Sequence, residues 1–361
     1  MLFIKRFILT QSFASMKIRS VAVKGLFNEF DYELNLNPEL TFIHSPNGCG
    51  KTVLMHMIYS LFRGDVEFLQ EVPFDRLDID FKEGVRVIVE NRNGRPFIQV
   101  QKNELESVVT PEEVEKLLDI NYLPPDRTTI TKKDGHIVNA LDYYAHELYE
   151  TIRRTKDDSA LRPQPKDGRK VMNDSEMEFW CKDLKAKLDF IKDAGFEPQI
   201  PQGMRFPPSR YDLLDNREAY EELAFSVSDY VDRNYQLAES VIVYTDIVNN
   251  IFLHKTISVS DSGKIIVTMR NGTTIPLSKL SSGETQVLIL FYVILFHSRA
   301  DGMVIIDEPE ISLHVSWQQM LGDYFSDICR VRKVQMVVST HSPQVIHDKW
   351  DLAQELVCRN A

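Results

Sequence analysis

The stretch Leu40-Thr41-Phe42-Ile43-His44-Ser45-Pro46-Asn47-Gly48-Cys49-Gly50-Lys51-Thr52 decides the reading of this chain. Residues 40–43 form a short apolar run with strand character, ending at a turn that carries Gly48 and Gly50. From 52 to 62 the residues Leu54, Met57, Ile58 and Leu61 fall on one face of a helix. Strand, glycine turn and helix start, in that order, gather backbone N–H groups and the positive end of a helix at one point, which makes a cradle for an anion. Lys51 adds a cation there and Thr52 a hydroxyl. The plain alternative is an ordinary glycine-rich turn before a helix, and the apolar strand ahead of it weighs against that.

Three later segments carry chemistry. In Met303-Val304-Ile305-Ile306-Asp307-Glu308-Pro309, four apolar residues lead to two acids at the tip of a buried strand. Ligands bind at such tips in open α/β sheets. Asp307 suits the shell of a divalent cation, and Glu308 suits a general base acting on water. A lone acid pair also ends many solvated turns. Leu280-Ser281-Ser282-Gly283-Glu284 opens an apolar helix with small residues, a second anion site. Taken alone it serves equally as a capping box, with Ser281 at the cap and Glu284 three positions on. Ser339-Thr340-His341-Ser342-Pro343 follows an apolar strand, where a lone histidine is more often structural than functional.

Working outward, strands are expected at 17–23, 30–36, 77–81, 85–89, 96–100 and 120–123. The middle has helical periodicity at 139–155, 175–193 and 217–251, broken by proline-containing loops at 162–170 and 198–209. It reads as an inserted helical subdomain. A hairpin is expected over 256–259 and 264–269, turning at Asp261-Ser262-Gly263. Helix 281–296, strand 303–306, helix 317–330 and strand 334–339 then alternate, and their strands are apolar enough for a buried, mostly parallel sheet. The expected domains are an extension at 1–15 ahead of Met16, an N-terminal lobe at 16–135, a helical insertion at 136–254 and a C-terminal lobe at 255–361. The fold class is α/β.

The 361 residues are 43% hydrophobic, with a formal net charge of −11. An acidic balance argues mildly against constitutive nucleic-acid binding. Arg162, Lys166, Arg169, Lys170, Lys182, Lys185 and Lys187 are the basic cluster that could still touch phosphates, although such charges usually just face water. The longest apolar run, 287–296, falls well short of the roughly 20 residues a membrane helix needs, so no membrane role is expected. Cys49, Cys181, Cys329 and Cys358 show no metal-ligand spacing and read as four free thiols of a cytoplasmic protein.

Together the four segments resemble the motif series of ABC-type ATPases, in the order that superfamily uses. Residues 45–52 resemble its phosphate-binding loop, G-x-x-x-x-G-K-[ST], with Ser45 in place of the first glycine. Residues 280–284 resemble the signature L-S-G-G-Q, and 339–343 resemble the switch-histidine segment. The resemblance implies a P-loop NTPase with an ABC-type head of the OLD/RecF-like kind and an inserted helical subdomain. It implies ATP and Mg²⁺, with Asn47, Gly48, Cys49, Gly50, Lys51 and Thr52 on the phosphates and Thr52 with Asp307 on the metal. Glu308 would then be the base and His341 the γ-phosphate contact. Ser281, Ser282, Gly283 and Glu284 would grip the nucleotide of another subunit, which implies a homodimer or higher homo-oligomer.

The branch is read from Glu308-Pro309-Glu310-Ile311-Ser312-Leu313-His314, where transporter ATPases usually show S-A-L-D. This form is similar to soluble RecF-type repair proteins and OLD-family ATPases, as are 17–30, Ile275-Pro276-Leu277 and 346–352. The interval between Thr52 and Ser281 holds the helical insert but not the long arms of chromosome-maintenance ATPases. Bacterial members of this branch often serve anti-phage defence. No nuclease domain fits after His341, so the effector is expected to be a separately encoded HNH or Toprim-type nuclease or a toxin, as in Septu-like or PARIS-like systems. The alternatives are a RecF-like DNA repair ATPase and, less consistent with the acid segment, a transporter subunit. Arg127 is similar to an arginine found near the nucleotide in relatives, though a surface arginine is the commoner case. Gln70, Gln99 and Gln101 are the open candidates for the glutamine loop.

Overall fold

A computed structural model of the chain describes residues 16–92, 94–103, 105–132, 134–165, 172–260 and 262–356, with the backbone of 359 and 360. The extension at 1–15, Cys358, and Lys166, Arg169 and Lys170 of the basic cluster lie outside the described residues. The chain divides into two units, one of 1–130 with 281–361 and one of 131–280.

The N-terminal part of the first unit holds strands β1 (Ile18–Leu26), β2 (Phe30–Asn35), β3 (Leu40–His44), β4 (Arg76–Phe81), β5 (Val85–Arg92), β6 (Arg95–Lys102), β7 (Leu105–Val108) and β8 (Ile120–Leu123). Their order follows from side-chain pattern. β1 and β2 alternate buried and exposed residues, as strands with one wet face do, whereas β3 is buried along nearly its whole length. Helices α1 (Lys51–Phe62), α2 (Val66–Glu71) and α3 (Pro111–Val114) lie between strands. α1 buries Leu54, Met55, Met57, Ile58, Leu61 and Phe62 in the unit's main apolar cluster.

The second unit contains β9 from its Thr131 end (Thr129–Thr131), β10 (Ile137–Asn139) and helices α4 (Ala140–Asp157), α5 (Asp174–Asp193) and α6 (Arg210–Ile251). Asn216, at φ −151° and ψ 61°, kinks α6, so its long straight portion starts where the periodicity predicts a helix, at Arg217. Trp180 meets Phe225 and Phe190 meets Tyr235. The contacts advance in step along both helices, so α5 and α6 run parallel. The unit also contains β11 (Lys255–Val259), β12 (Ile265–Met269) and β13 (Thr274–Ile275), an antiparallel sheet that includes the expected hairpin. Asn249 of α6 holds β11 by donating to the Ile257 carbonyl and accepting from its N–H. This sheet therefore belongs with the helices, and the unit extends past the insertion expected at 136–254.

The chain returns to the first unit with α7 (Ser282–Tyr292), β14 (Met303–Asp307), α8 (Val315–Arg332), β15 (Gln335–Thr340), α9 (Pro343–Ile346), β16 (Ala353–Glu355) and β17 (Arg359–Asn360). The expected helix at 281–296 opens into a π-helical turn over Val293–His297. Side chains capture that turn's carbonyls: Arg332 donates to Leu295 O and Asn121 to His297 O. The unit has two sheets. One is antiparallel in the order β17-β2-β1-β4-β5-β6-β7, and the other is β16-β3-β15-β14-β8 with every pairing parallel. The fold is α/β with a glycine turn between β3 and α1. Adjacent parallel strands β3, β15 and β14 deliver the glycine turn, His341 and the acid pair at the same sheet edge.

Candidate functional site

Backbone geometry explains the two glycines of the turn. Gly48 sits at φ +85° and Gly50, the N-cap of α1, at φ +70°, a region side-chain-bearing residues rarely occupy. Among the described residues, no side chain caps α1, so its first N–H groups remain available for an external acceptor. Asn47, Gly48, Cys49, Gly50, Lys51, Thr52, Glu308 and His341 line one cleft of about 430 Å³. Eight residues read as site residues from sequence thus converge, drawn from distant parts of the chain.

Lys51 is buried, and its ammonium donates to Ser45 O at 2.9 Å and Ser45 Oγ at 2.8 Å. Ser45, which replaces the first glycine of the motif, is therefore the lysine's resting partner. Burial pulls the Lys51 pKa down, while Asp307, Glu308 and Glu310 pull it up. His341 bridges the charged groups: Nδ1 lies 3.4 Å from Lys51 Nζ and Nε2 lies 3.4 Å from Glu308 Oε1. Glu308 occupies a left-handed conformation, φ +47°, held by its N–H donating to Ser339 O and by Arg127 donating to its carbonyl. Non-glycine residues carry strain there, and such strain gathers at functional sites.

Asp307 is fully buried at the end of β14. Its Oδ2 accepts from Tyr122 at 3.4 Å, and among the described residues its Oδ1 has no hydrogen-bond partner. A buried carboxylate oxygen without a donor fits a cation ligand. Thr52 lines the cleft beside Lys51. The donor set expected for Mg²⁺ is therefore chemically suitable.

Ser281, Ser282, Gly283 and Glu284 do not line this cleft. They form the capping box that the sequence also allowed, with Ser281 N donating to Glu284 Oε2 at 2.8 Å and Glu284 N to Ser281 Oγ. Ser281 and Ser282 are exposed, whereas Gly283 is buried against the segment following Glu308. A Cβ on Gly283 would stand 2.6 Å from Ser312 O, a backbone atom that cannot swing away. Gly283→Ala is expected to cost about 1–3 kcal/mol of stability through overpacking. Chemical denaturation would check this; an unchanged midpoint would show that the contact relaxes freely.

Several contributors were not singled out from sequence. Glu310 Oε1 accepts from Thr340 Oγ1, His341 N and Ser342 N and so fixes the turn at 340–342. Gln286, buried on α7, accepts from Arg127. Phe27, 40% exposed, lies beside the turn: a Cβ on Gly50 would be 3.4 Å from its ring. Gln70 lies on α2 and Gln99 and Gln101 on β6, and none lines the cleft. Arg127 is buried, which corrects the surface reading. Cys49 is disulfide-bonded, which corrects the expectation of four free thiols. Cys181 and Cys329 are free, and burial pushes their pKa values up to about 11 and about 12. Arg162, Lys182 and Lys187 are ion-paired with Asp158, Glu178 and Asp183, and Lys185 with Asp189. Among the described residues, no helix is long and apolar enough to cross a membrane.

Comparison with known proteins adds a family. An alignment over 97 positions, covering 23% of this chain, is 33% identical to the "Retron Ec83 probable ATPase" of Escherichia coli and spans 17% of that protein's length. Among solved structures, the Smc head domain of Pyrococcus furiosus, bound to the C-terminal domain of ScpA, superposes with a TM-score of 0.48 at 12% identity, covering 96% of this chain and 94% of that one. The SMC head domain of Thermotoga maritima gives 0.45 at 12% identity, covering 96% of each. A family model matches residues 134–347, more than half of the chain, including 281–284, Asp307, Glu308 and His341. The chain belongs to the family described as "AAA domain, putative AbiEii toxin, Type IV TA system".

Proposed function

We propose that this protein binds and hydrolyses ATP between two copies of itself and uses the nucleotide state to control a separately encoded effector. The observation that carries the reading is the convergence of Lys51, Glu308 and His341 on one cleft at the open end of a helix. Lys51 exchanges its Ser45 contacts for phosphate oxygens, and the N–H groups at the start of α1 take the remaining charge. A Mg²⁺ held by Thr52 and Asp307 would supply further positive charge against the triphosphate. Glu308 accepts a proton from the attacking water. His341 stands between base and lysine, so a ligand that draws Lys51 away changes its partners.

The exposed Ser281 and Ser282, with Glu284, sit apart from the cleft at a helix start, which suits them to a nucleotide held by a second copy. The test is light scattering with and without ATP and Mg²⁺. A dimer that forms only with nucleotide is expected, and a strict monomer at saturating ATP overturns the reading. The effector role is supported by the toxin–antitoxin description of the family and by the partial match to a retron ATPase. Co-purification with the product of a neighbouring HNH or Toprim-type gene checks it. The RecF-like alternative has less support, because the family description names a toxin–antitoxin system.

Phe27 offers an aromatic face for the nucleotide base. Stacking of a base on an aromatic ring is worth about 1–3 kcal/mol. Phe27→Ala is therefore expected to weaken ATP binding by roughly tenfold or more while leaving inorganic triphosphate binding unchanged. Equal losses for both ligands would remove the base from this position.

A further inference from the structure

Two charged groups that hold the cleft residues Glu308 and His341 are left half-made. Arg127 is 4% exposed; its Nε donates to Gln286 of α7 and its Nη2 to Glu308 O at 2.9 Å. Among the described residues, its Nη1 is buried without a partner. Glu310 presents the complementary picture. Oε1 accepts from Thr340 Oγ1 at 2.8 Å, His341 N at 2.7 Å and Ser342 N at 3.1 Å, while Oε2 is buried and has no partner among the described residues. An unpaired guanidinium N–H and an unpaired carboxylate oxygen, both shielded from solvent on side chains that hold Glu308 and His341, are each unfavourable, and each is what the other requires. Burial lowers the Arg127 pKa to about 10, and Glu310 is the strongest of the acids acting the other way. A purely structural ion pair would already be closed.

Their anchors lie on different elements. Arg127 is tied to α7, the helix that Ser281 caps, and to the backbone of the base Glu308. Glu310 is tied to the backbone of His341 and its neighbours. A small movement of the start of α7 shifts the guanidinium, and closure onto Glu310 transmits that shift to the switch segment.

We propose that Arg127 and Glu310 are positioning residues whose ion pair is open in the free protein and closes when the start of α7 engages a nucleotide, linking that engagement to His341 and Glu308. The inference rests on the ATP reading above. It assigns regulation of that site to a three-residue relay, Gln286–Arg127–Glu310.

Glu310→Gln keeps the acceptor oxygen that holds the switch segment and replaces the free oxygen with an amide donor that cannot receive Arg127. Nucleotide Kd, kcat and thermal midpoint are measured for wild type, Glu310→Gln, Arg127→Lys, Gln286→Leu and the Arg127→Lys/Glu310→Gln double variant. The expected result is an unchanged Kd with kcat lower by roughly ten- to hundredfold in each single variant. The double variant should fall no further than the worse single one. Should Glu310→Gln fail to fold, Gln286→Leu and Arg127→Lys carry the same comparison from the other end of the relay. A wild-type protein that binds no ATP overturns the function itself. Wild-type turnover that the single variants leave intact, or losses that multiply in the double variant, overturn the relay alone.

Discussion

Glu308→Gln is expected to bind ATP and then stall, with turnover lower by about 10²–10⁴-fold. Glutamine keeps the size of the side chain and can still approach His341 Nε2, now 3.4 Å from Glu308 Oε1. What it loses is the capacity to accept a proton from water. The backbone contacts that hold position 308, from Arg127 and to Ser339, do not involve the side chain, so the left-handed turn is expected to persist. Steady-state phosphate release gives the rate, and light scattering reports whether the stalled protein accumulates as a nucleotide-bound dimer. Release within about twofold of wild type would remove Glu308 from the base position and leave it a residue that merely shapes the turn.

The candidate site that this variant probes is largely legible in the sequence, because its parts are local. A glycine turn between an apolar strand and an amphipathic helix is readable within a dozen residues, and so is an acid pair ending four apolar positions. β3, β14 and β15 are buried over almost all their residues, so their apolar runs carried the parallel core openly. Edge elements carried no such signal. β7 is mostly exposed and β16 is only three residues long, so neither has a periodicity to detect.

The parts not legible are those that depend on long-range contact. Glu310 is locally one more acid after Asp307 and Glu308, yet its importance comes from three donors some 30 residues away. Arg127 follows a strand, where a surface position is expected, but Gln286 of α7 and the turn at Glu308 hold it buried. Phe27 is an unremarkable aromatic in a turn until β1 brings it beside Gly50. The extent of the second unit was hidden for the same reason. The hairpin β11–β12 is visible in its own turn residues, but its attachment to α6 runs through Asn249, which no local pattern marks.

Lys51→Ala is expected to weaken ATP binding by roughly ten- to hundredfold, the worth of a charged hydrogen bond to phosphate. The prediction has a second limb that separates charge from packing. Burial holds the Lys51 pKa below its ordinary value of 10.5, with the three nearby acids opposing that shift only in part. The bound triphosphate needs the protonated amine, so wild-type affinity should be full at neutral pH and should fall as pH rises through a midpoint below 10.5. Stability follows the opposite sign. A lysine whose folded pKa is depressed opposes folding while charged, and that cost fades as pH rises from the folded value toward the unfolded one. Affinity and stability should thus move in opposite directions over the same alkaline window, and Lys51→Ala should abolish this contribution to both. Isothermal titration across pH measures the first and denaturant titration the second. An alanine variant that retains wild-type affinity at neutral pH would show that the helix start alone holds the phosphates, and the convergence of Lys51 with Glu308 and His341 would then have no catalytic meaning.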